Sequence, residues 1–441
     1  MSEHNEHGNG SEEPQDFEAF MREFLEKGSD GMDLEKLAKA AGLPNDPAQI
    51  AAMLSQLRGA LNQMAPEGGG VNFKLAADQA RTLAANGSKA ITDDLRKELG
   101  GALSIAALWL NQATSIAELT SEPKLLSREL WVQDAMPLFE ALSTPVAERM
   151  SAALSESLQE NAPDELSPML ANASSMMKSL GGALFAMQLG QSIGKLSTEV
   201  LTGGDIGLPI FAEQRAAFVM QNLDFYVNEL DVERDQVFIY LAVRELAHAR
   251  LFKQSKWLRE QVINQITQYA AGIKIDAEHI AEMTRDFDPN DTAALQEAFQ
   301  NGAFIAERND EQNRALESIE NILALIEGWV DAVTDQATAL LPKSIAIGEA
   351  VRRRRATGGP AEKTFGTLIG LELRPRRLRE AANLWRELGH RLGNDKRDAL
   401  WNHPDLLPTS AEIANPELIF ARLESAGADS FDQELRDLLG E

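Results

Sequence analysis

No cysteine occurs in the 441 residues. That excludes disulfide frameworks, thiolate zinc sites, iron–sulfur clusters and thiol nucleophiles together, and a reducing, cytoplasmic setting is the expectation. Long apolar runs are missing too. No stretch reaches the roughly 18 uninterrupted apolar residues of a membrane span. The first seventeen residues carry Glu3, Glu6, Glu12, Glu13 and Asp16 without a Lys or Arg, so neither region of a secretory signal is expected there. Positive charge is scarce: 42 Lys and Arg stand against 68 Asp and Glu, a net charge of -26. Such a balance favours solubility and argues against general nucleic-acid affinity. The sequence also shows no P-loop, Rossmann fingerprint, kinase signature set or recognisable Ser/His/Asp triad.

What is present is helical spacing. Residues 1–15 read as a disordered acidic tail, because they have no apolar period with which to offset the entropy of ordering. Residues 16–64 form an N-terminal helical module, marked by Phe17, Phe20, Met21 and Phe24 and then by Ile50, Met53, Leu54, Leu57 and Leu61. The Pro and Gly cluster within 65–72 is a linker, and residues 73–441 make one larger, mainly helical domain. Its helical stretches fall near 90–120, 130–160, 176–201, 232–252, 258–272, 311–340, 376–392 and 415–425, with a further short one at 430–439. Gly190 and Gly194 among apolar residues predict close packing of two helices. A change of character over 202–228, with Gly203, Gly204, Gly207 and Pro209 at turns, predicts a small sheet using Phe218-Val219 and Phe225-Tyr226-Val227. The fold class is therefore mainly α with a small β element.

The informative helix is Val237 to Phe252. Seven consecutive apolar residues, Val237 to Val243, predict burial all round, yet Arg244, Glu245 and His248 follow at once. At spacings i,i+3 and i,i+4 these three lie near one face, and charges in such a helix need partners or water. They make either a satisfied ion-pair network bracing the core or a polar functional pocket.

Arg244-Glu245-Leu246-Ala247-His248 looks like an HExxH zinc helix whose first His is replaced by Arg. Its surroundings are "QYAAGIKID" after it, "LIEGWVD" at 325–331, "RRRRATGGPAEKTFGTLIGLELRPRRLREAANLW" at 352–385 and "RDALWNHPDLLP" at 397–408. Together these resemble the zincin-like metallopeptidase type 2 family, actinobacterial proteins described as hydrolases or zinc-dependent metalloproteases. The likeness is densest over about 230–410, within a motif core at about 205–410, and implies a zincin-like helical core. Carried across, it makes Glu245 the catalytic general base, His248 a zinc ligand and Glu327 the third ligand, with Asp331 one turn later and His403 as weaker candidates. Arg244 stands at the first ligand position, and a guanidinium offers no lone pair to zinc. An arginine there could instead replace the metal electrostatically by pairing with Glu327.

The basic charge is concentrated: residues 341–400 hold fourteen Lys/Arg and seven Asp/Glu, a local +7 that leaves -33 for the rest. Arg352, Arg353, Arg354, Arg355, Gly358, Gly359, Arg374, Arg376 and Arg377 are candidate anion ligands, with the Gly-Gly-Pro turn offering backbone N–H groups. The same arginines could equally clamp carboxylates elsewhere in the chain. Trp257, Trp329, Trp385 and Trp401 read as packing residues. Three functions stay open: a family member with a degenerate zinc site that binds an unknown protein or peptide partner, a working zinc peptidase with an unrecognised ligand, and an anion or nucleotide binder through 352–379.

Overall fold

The computed structural model describes residues 71–160, 182–183, 185–208, 210–211, 215–273, 308–356 and 377–428. The chain divides into Met1–Pro66 and Glu67–Glu441. The acidic tail, the N-terminal module and most of the linker expected at 65–72 lie outside the described residues, as do the helix at 430–439 and Gly358, Gly359, Arg374 and Arg376.

The described helices are α1 (Phe73–Ala85), α2 (Asp93–Ala113), α3 (Arg128–Glu160), α4 (185–197), α5 (Met220–Glu229), α6 (Arg234–Gln254), α7 (Trp257–Ala271) and α8 (Asp310–Ala337), followed by α9 (Ser344–Ala356), α10 (Leu378–Leu392), α11 (Asn394–Ala399), α12 (Ser410–Ala414) and α13 (Glu417–Ala428). Two short strands, β1 (Lys124–Leu126) and β2 (Ala217–Val219), pair in parallel. Thr202 adds an antiparallel bridge to Phe218. The mainly α class with a small β element is what the structure shows.

Local chemistry starts several of these helices. Asn72 accepts a hydrogen bond from the N–H of Leu75, and Thr92 from that of Leu95. Asn309 and Gln312 form a reciprocal capping box at the head of α8. Over Val237–Val243 α6 is apolar all round, so that stretch can only be interior. Val237 to Val243 are all buried, with α2, α8, α9 and α5 packed around the helix. Trp385 stacks on Trp401 at a centroid distance of 5.3 Å, and Trp329 meets Trp401 edge-on at 6.4 Å. These rings weld α8 and α10 to the turn at Leu400–Asn402, in keeping with a packing role.

A buried ion pair fixes the same region. Arg397 Nε donates to Asp398 Oδ1 at 2.7 Å. Asp398 also accepts from Trp329 Nε1 at 2.9 Å, Thr114 Oγ1 at 2.6 Å and the N–H of Ser115 at 2.9 Å. α2, α8 and α11 are thus pinned to one carboxylate whose lone pairs are well used.

One expected strand is a helix. Phe225, Tyr226 and Val227 lie in α5, where Met220, Leu223 and Val227 are buried at helical spacing and Phe225 faces solvent. Packing of that face overrides the strand preference of the residue types. The Gly190 and Gly194 expectation concerns α4 and α1. A Cβ at Gly190 would stand 2.6 Å from the carbonyl oxygen of Ala76, and one at Gly194 would stand 2.8 Å from Leu83 Cβ. Backbone contact this close admits only glycine at 190.

Two alanine substitutions should therefore act in opposite directions. Gly190→Ala must push α4 from α1 and is expected to cost about 1–3 kcal/mol. Gly100→Ala, on an open face of α2 with nothing within 4 Å, should stabilise by roughly 0.5–1 kcal/mol. Urea unfolding of the two variants checks both signs.

Candidate functional site

Helix α6 brings Arg244, Glu245 and His248 to the interior, and each meets a different set of partners. Glu245 is sealed from solvent beneath the loop 201–208. Its Oε2 accepts the N–H of Gly204 at 2.8 Å and its Oε1 accepts that of Ala217 at 2.8 Å. A side chain on α6 thus satisfies backbone donors of both the loop and β2. The approach needs glycine: a Cβ at Gly203 would be 2.7 Å from Glu245 Oε1, and one at Gly204 would be 2.5 Å from His248 Cγ. Gly207 takes φ +72° in the left-handed region, beside Glu327 Oε1. The sequence marks these glycines as turn formers, and their contact with the candidate catalytic residues arises only from the tertiary fold.

His248 is buried under Gly204, with its ring 4.7 Å from that of Phe252. Its Nε2 has no hydrogen-bond partner. Burial, with help from the charges of Arg355 and Arg244, lowers its pKa to about 3, so the ring is neutral at ordinary pH. Burial raises Glu245 to about 7 against the opposing pull of the two backbone N–H groups. The space beside them, lined by Leu208, Ile210, Phe211 and Phe252 among others, is about 250 Å³ including its open side. With Glu245 2% and His248 5% exposed, the reacting atoms of a peptide cannot reach either side chain in this conformation.

Arg244 turns toward α8. Its Nη2 lies 2.5 Å from Glu327 Oε2, and its Nη1 lies 4.0 Å from Asp331 Oδ1. The fields of Glu327 and Asp331 raise its pKa even though burial alone would lower it. Arg355 comes from α9 to the same Glu327 oxygen, at 2.8 Å. One turn along α8, Asp331 accepts from Arg352 Nε at 3.0 Å and from Arg386 Nη2 at 2.9 Å. Both arginines also reach Asp335. Arg354 forks onto Asp205 at 2.8 and 2.9 Å.

The structure therefore gathers Arg244, Glu327 and Asp331 into one cluster, and joins Glu245 to His248 through the glycine loop. It does not bring His403 to them. That residue lies in an exposed turn where its Nδ1 accepts the N–H of Asp405. The neighbouring Trp401 carbonyl accepts from Ser255, at the end of α6 about 10 Å along the helix from His248. Among the candidate anion ligands, Arg352, Arg354 and Arg355 are engaged with carboxylates, Arg353 is exposed, and Arg377 donates to the Ser410 carbonyl at 2.8 Å. Among the described residues, no group of three or more His, Asp or Glu stands where it could hold a metal ion.

Two groups on α6, Glu245 and His248, pull stability in opposite directions with pH. Glu245, raised from 4.5 to about 7, keeps a proton in the folded state that the unfolded chain releases, so its contribution falls as pH rises through that window. His248, lowered from 6.5 to about 3, refuses a proton that the unfolded chain takes up, so its contribution falls as pH drops below 6.5. Between 4.5 and 6.5 the slopes offset each other. His248→Gln removes one of them. From pH 6.5 down to 4, urea unfolding should show the variant gaining on wild type by up to roughly 1.4 kcal/mol per pH unit; parallel curves would contradict the buried neutral imidazole.

A model of the zincin-like metallopeptidase family matches residues 71–419. A protein from Chloroflexus aurantiacus, known from its crystal structure and described as "a putative hydrolase with a novel fold", superposes with a TM-score of 0.56. The two are 17% identical, over 80% of this chain and 99% of the other, so the likeness is one of fold. No functionally curated protein matches the sequence. The family match takes in α1, the RELAH helix α6, the Glu327 helix α8 and the arginine helix α9, and on that extent the chain belongs to the zincin-like metallopeptidase family.

Proposed function

We propose that this protein is a zincin-like family member whose zinc site has been replaced by a guanidinium–carboxylate cluster, and that it works in the cytoplasm by binding a protein or peptide partner. The observation that carries this reading is the pair between Arg244 Nη2 and Glu327 Oε2 at 2.5 Å. It puts a fixed cation where the family pattern has a metal ligand, on the very carboxylate that would be the third ligand.

The residues present do not fit a tetrahedral zinc site. His248 Nε2 offers one lone pair, Glu327 spends an oxygen on two arginines, and Arg244 offers none. A catalytic zinc needs three protein ligands and an open position for water. Burial of Glu245, His248 and Glu327 beneath the 201–208 loop supplies the opposite environment. An anion binding at α9 would have to displace carboxylates from Arg352, Arg354 and Arg355.

One observation favours a second reading, a working zinc hydrolase: the buried, unpartnered His248 Nε2 is a competent ligand atom. Elemental mass spectrometry separates the two. Untagged protein, purified without chelator and assayed on a peptide library, should carry zinc far below stoichiometry and cleave nothing. About one firmly held zinc per chain would reverse the assignment.

A further inference from the structure

Glu327 Oε2 receives two cations. Arg244 arrives from α6 at 2.5 Å, and Arg355 arrives from α9 at 2.8 Å. Arg355 is mostly buried, and its Nη1, shut off from solvent, makes no well-aligned hydrogen bond despite the short distance. It is held by charge, against the repulsion of Arg244.

The charges of the surrounding cluster are balanced. Its ion-paired carboxylates are Asp205, Glu327, Asp331, Asp335 and Glu349; its guanidiniums are Arg244, Arg352, Arg354, Arg355 and Arg386. With every group ionised the sum is zero. A dication entering this buried network would leave an excess of two positive charges. Loss of Arg244 alone leaves a deficit of one. Loss of Arg244 and Arg355 leaves a deficit of two, the charge a divalent metal carries.

We propose that Arg355 is the second half of the metal replacement, so that Arg244 and Arg355 together stand for one dication and Arg355 by itself keeps the pocket closed to metal. This rests on the reading of a guanidinium-filled zinc site given above, and it adds a specificity-determining residue that lies outside the RELAH motif. It also makes the α9 arginine run part of the site: helical spacing turns Arg352 and Arg355 toward α8, turns Arg354 toward the 201–208 loop and leaves Arg353 exposed.

The test compares full-length wild type, Arg244→His, Arg355→Gln and the double variant Arg244→His/Arg355→Gln. Each is dialysed against zinc and, separately, cobalt. The expected result is stoichiometric metal, with the visible absorption of tetrahedral cobalt, in the double variant alone. Arg244→His binding metal as firmly as the double variant would overturn the role of Arg355, while the wild-type reading of an arginine-filled site would stand. Zinc already bound to wild type would instead overturn that reading. A folded double variant that takes up no metal would also overturn the inference.

A second measurement needs no metal and holds if the double variant folds poorly. Glu327→Gln should lower the folding equilibrium constant by about 100-fold or more in wild type, because it strands two buried guanidiniums. In the Arg355→Gln background the same change should cost at least about tenfold less. Equal costs in the two backgrounds would show Arg355 to be a bystander.

Discussion

A carboxylate sealed among packed helices must be neutralised, and much of this interior is arranged around doing so for Glu327. An unpaired charge at such depth costs several kcal/mol, of order the whole stability margin of a domain. Glu327 draws Arg244 from α6 and Arg355 from α9, and Asp331 and Asp335 on the next turns of α8 draw Arg352 from α9 and Arg386 from α10. Three helices are thereby tied to one face of α8. Exchanging such a network for apolar side chains can be neutral or stabilising, but removing one partner from it is costly. Its effect is to fix rotation and register: α8 cannot turn about its axis without stranding charge.

The same requirement shapes the other side of α6. Glu245 has no cation of its own within hydrogen-bonding reach and is satisfied by the N–H groups of Gly204 and Ala217. Those donors reach it only because residues 203 and 204 lack side chains. The small parallel sheet therefore acts as the means by which two backbone segments are presented to α6. The Arg397–Asp398 pair and the Trp329, Trp385 and Trp401 rings complete the frame by locking α8 to α10, with Trp329 standing between Glu327 and Asp331 on α8.

Helix α6 was legible because seven apolar residues in a row can only be interior, and polar residues that follow such a run must find partners. The partner of Arg244 could be named because the resemblance to the zincin-like family put a third ligand at Glu327, which an arginine at the first ligand position would face. α9 was not legible. It buries little beyond Ile347 and Val351, so four arginines mask its period, and no feature of the run says which arginine meets which acid. Nor was the closing of the site legible: Gly203, Gly204 and Gly207 signal turns in any sequence, whereas their contact with Glu245, His248 and Glu327 is a property of how distant segments pack. Phe225 to Val227 misled because strand preference is weak beside the burial of one face of α5.

A tethered guanidinium and a bound dication neutralise carboxylates in physically different ways. Metal binds by mass action and competes with protons for its ligands, so a site built around it weakens when metal is scarce or the medium is acid. Arginine is charged at any ordinary pH and is already present at the moment the chain folds. Its guanidinium reaches only as far as its stem allows, and it has no vacant orbital with which to polarise water. A fold that exchanges one for the other keeps its charge balance and loses the need for an opening, because nothing has to enter or leave. The loop 201–208 can then close over α6 as it does here, and any surface the protein offers to a partner must lie outside the buried cluster.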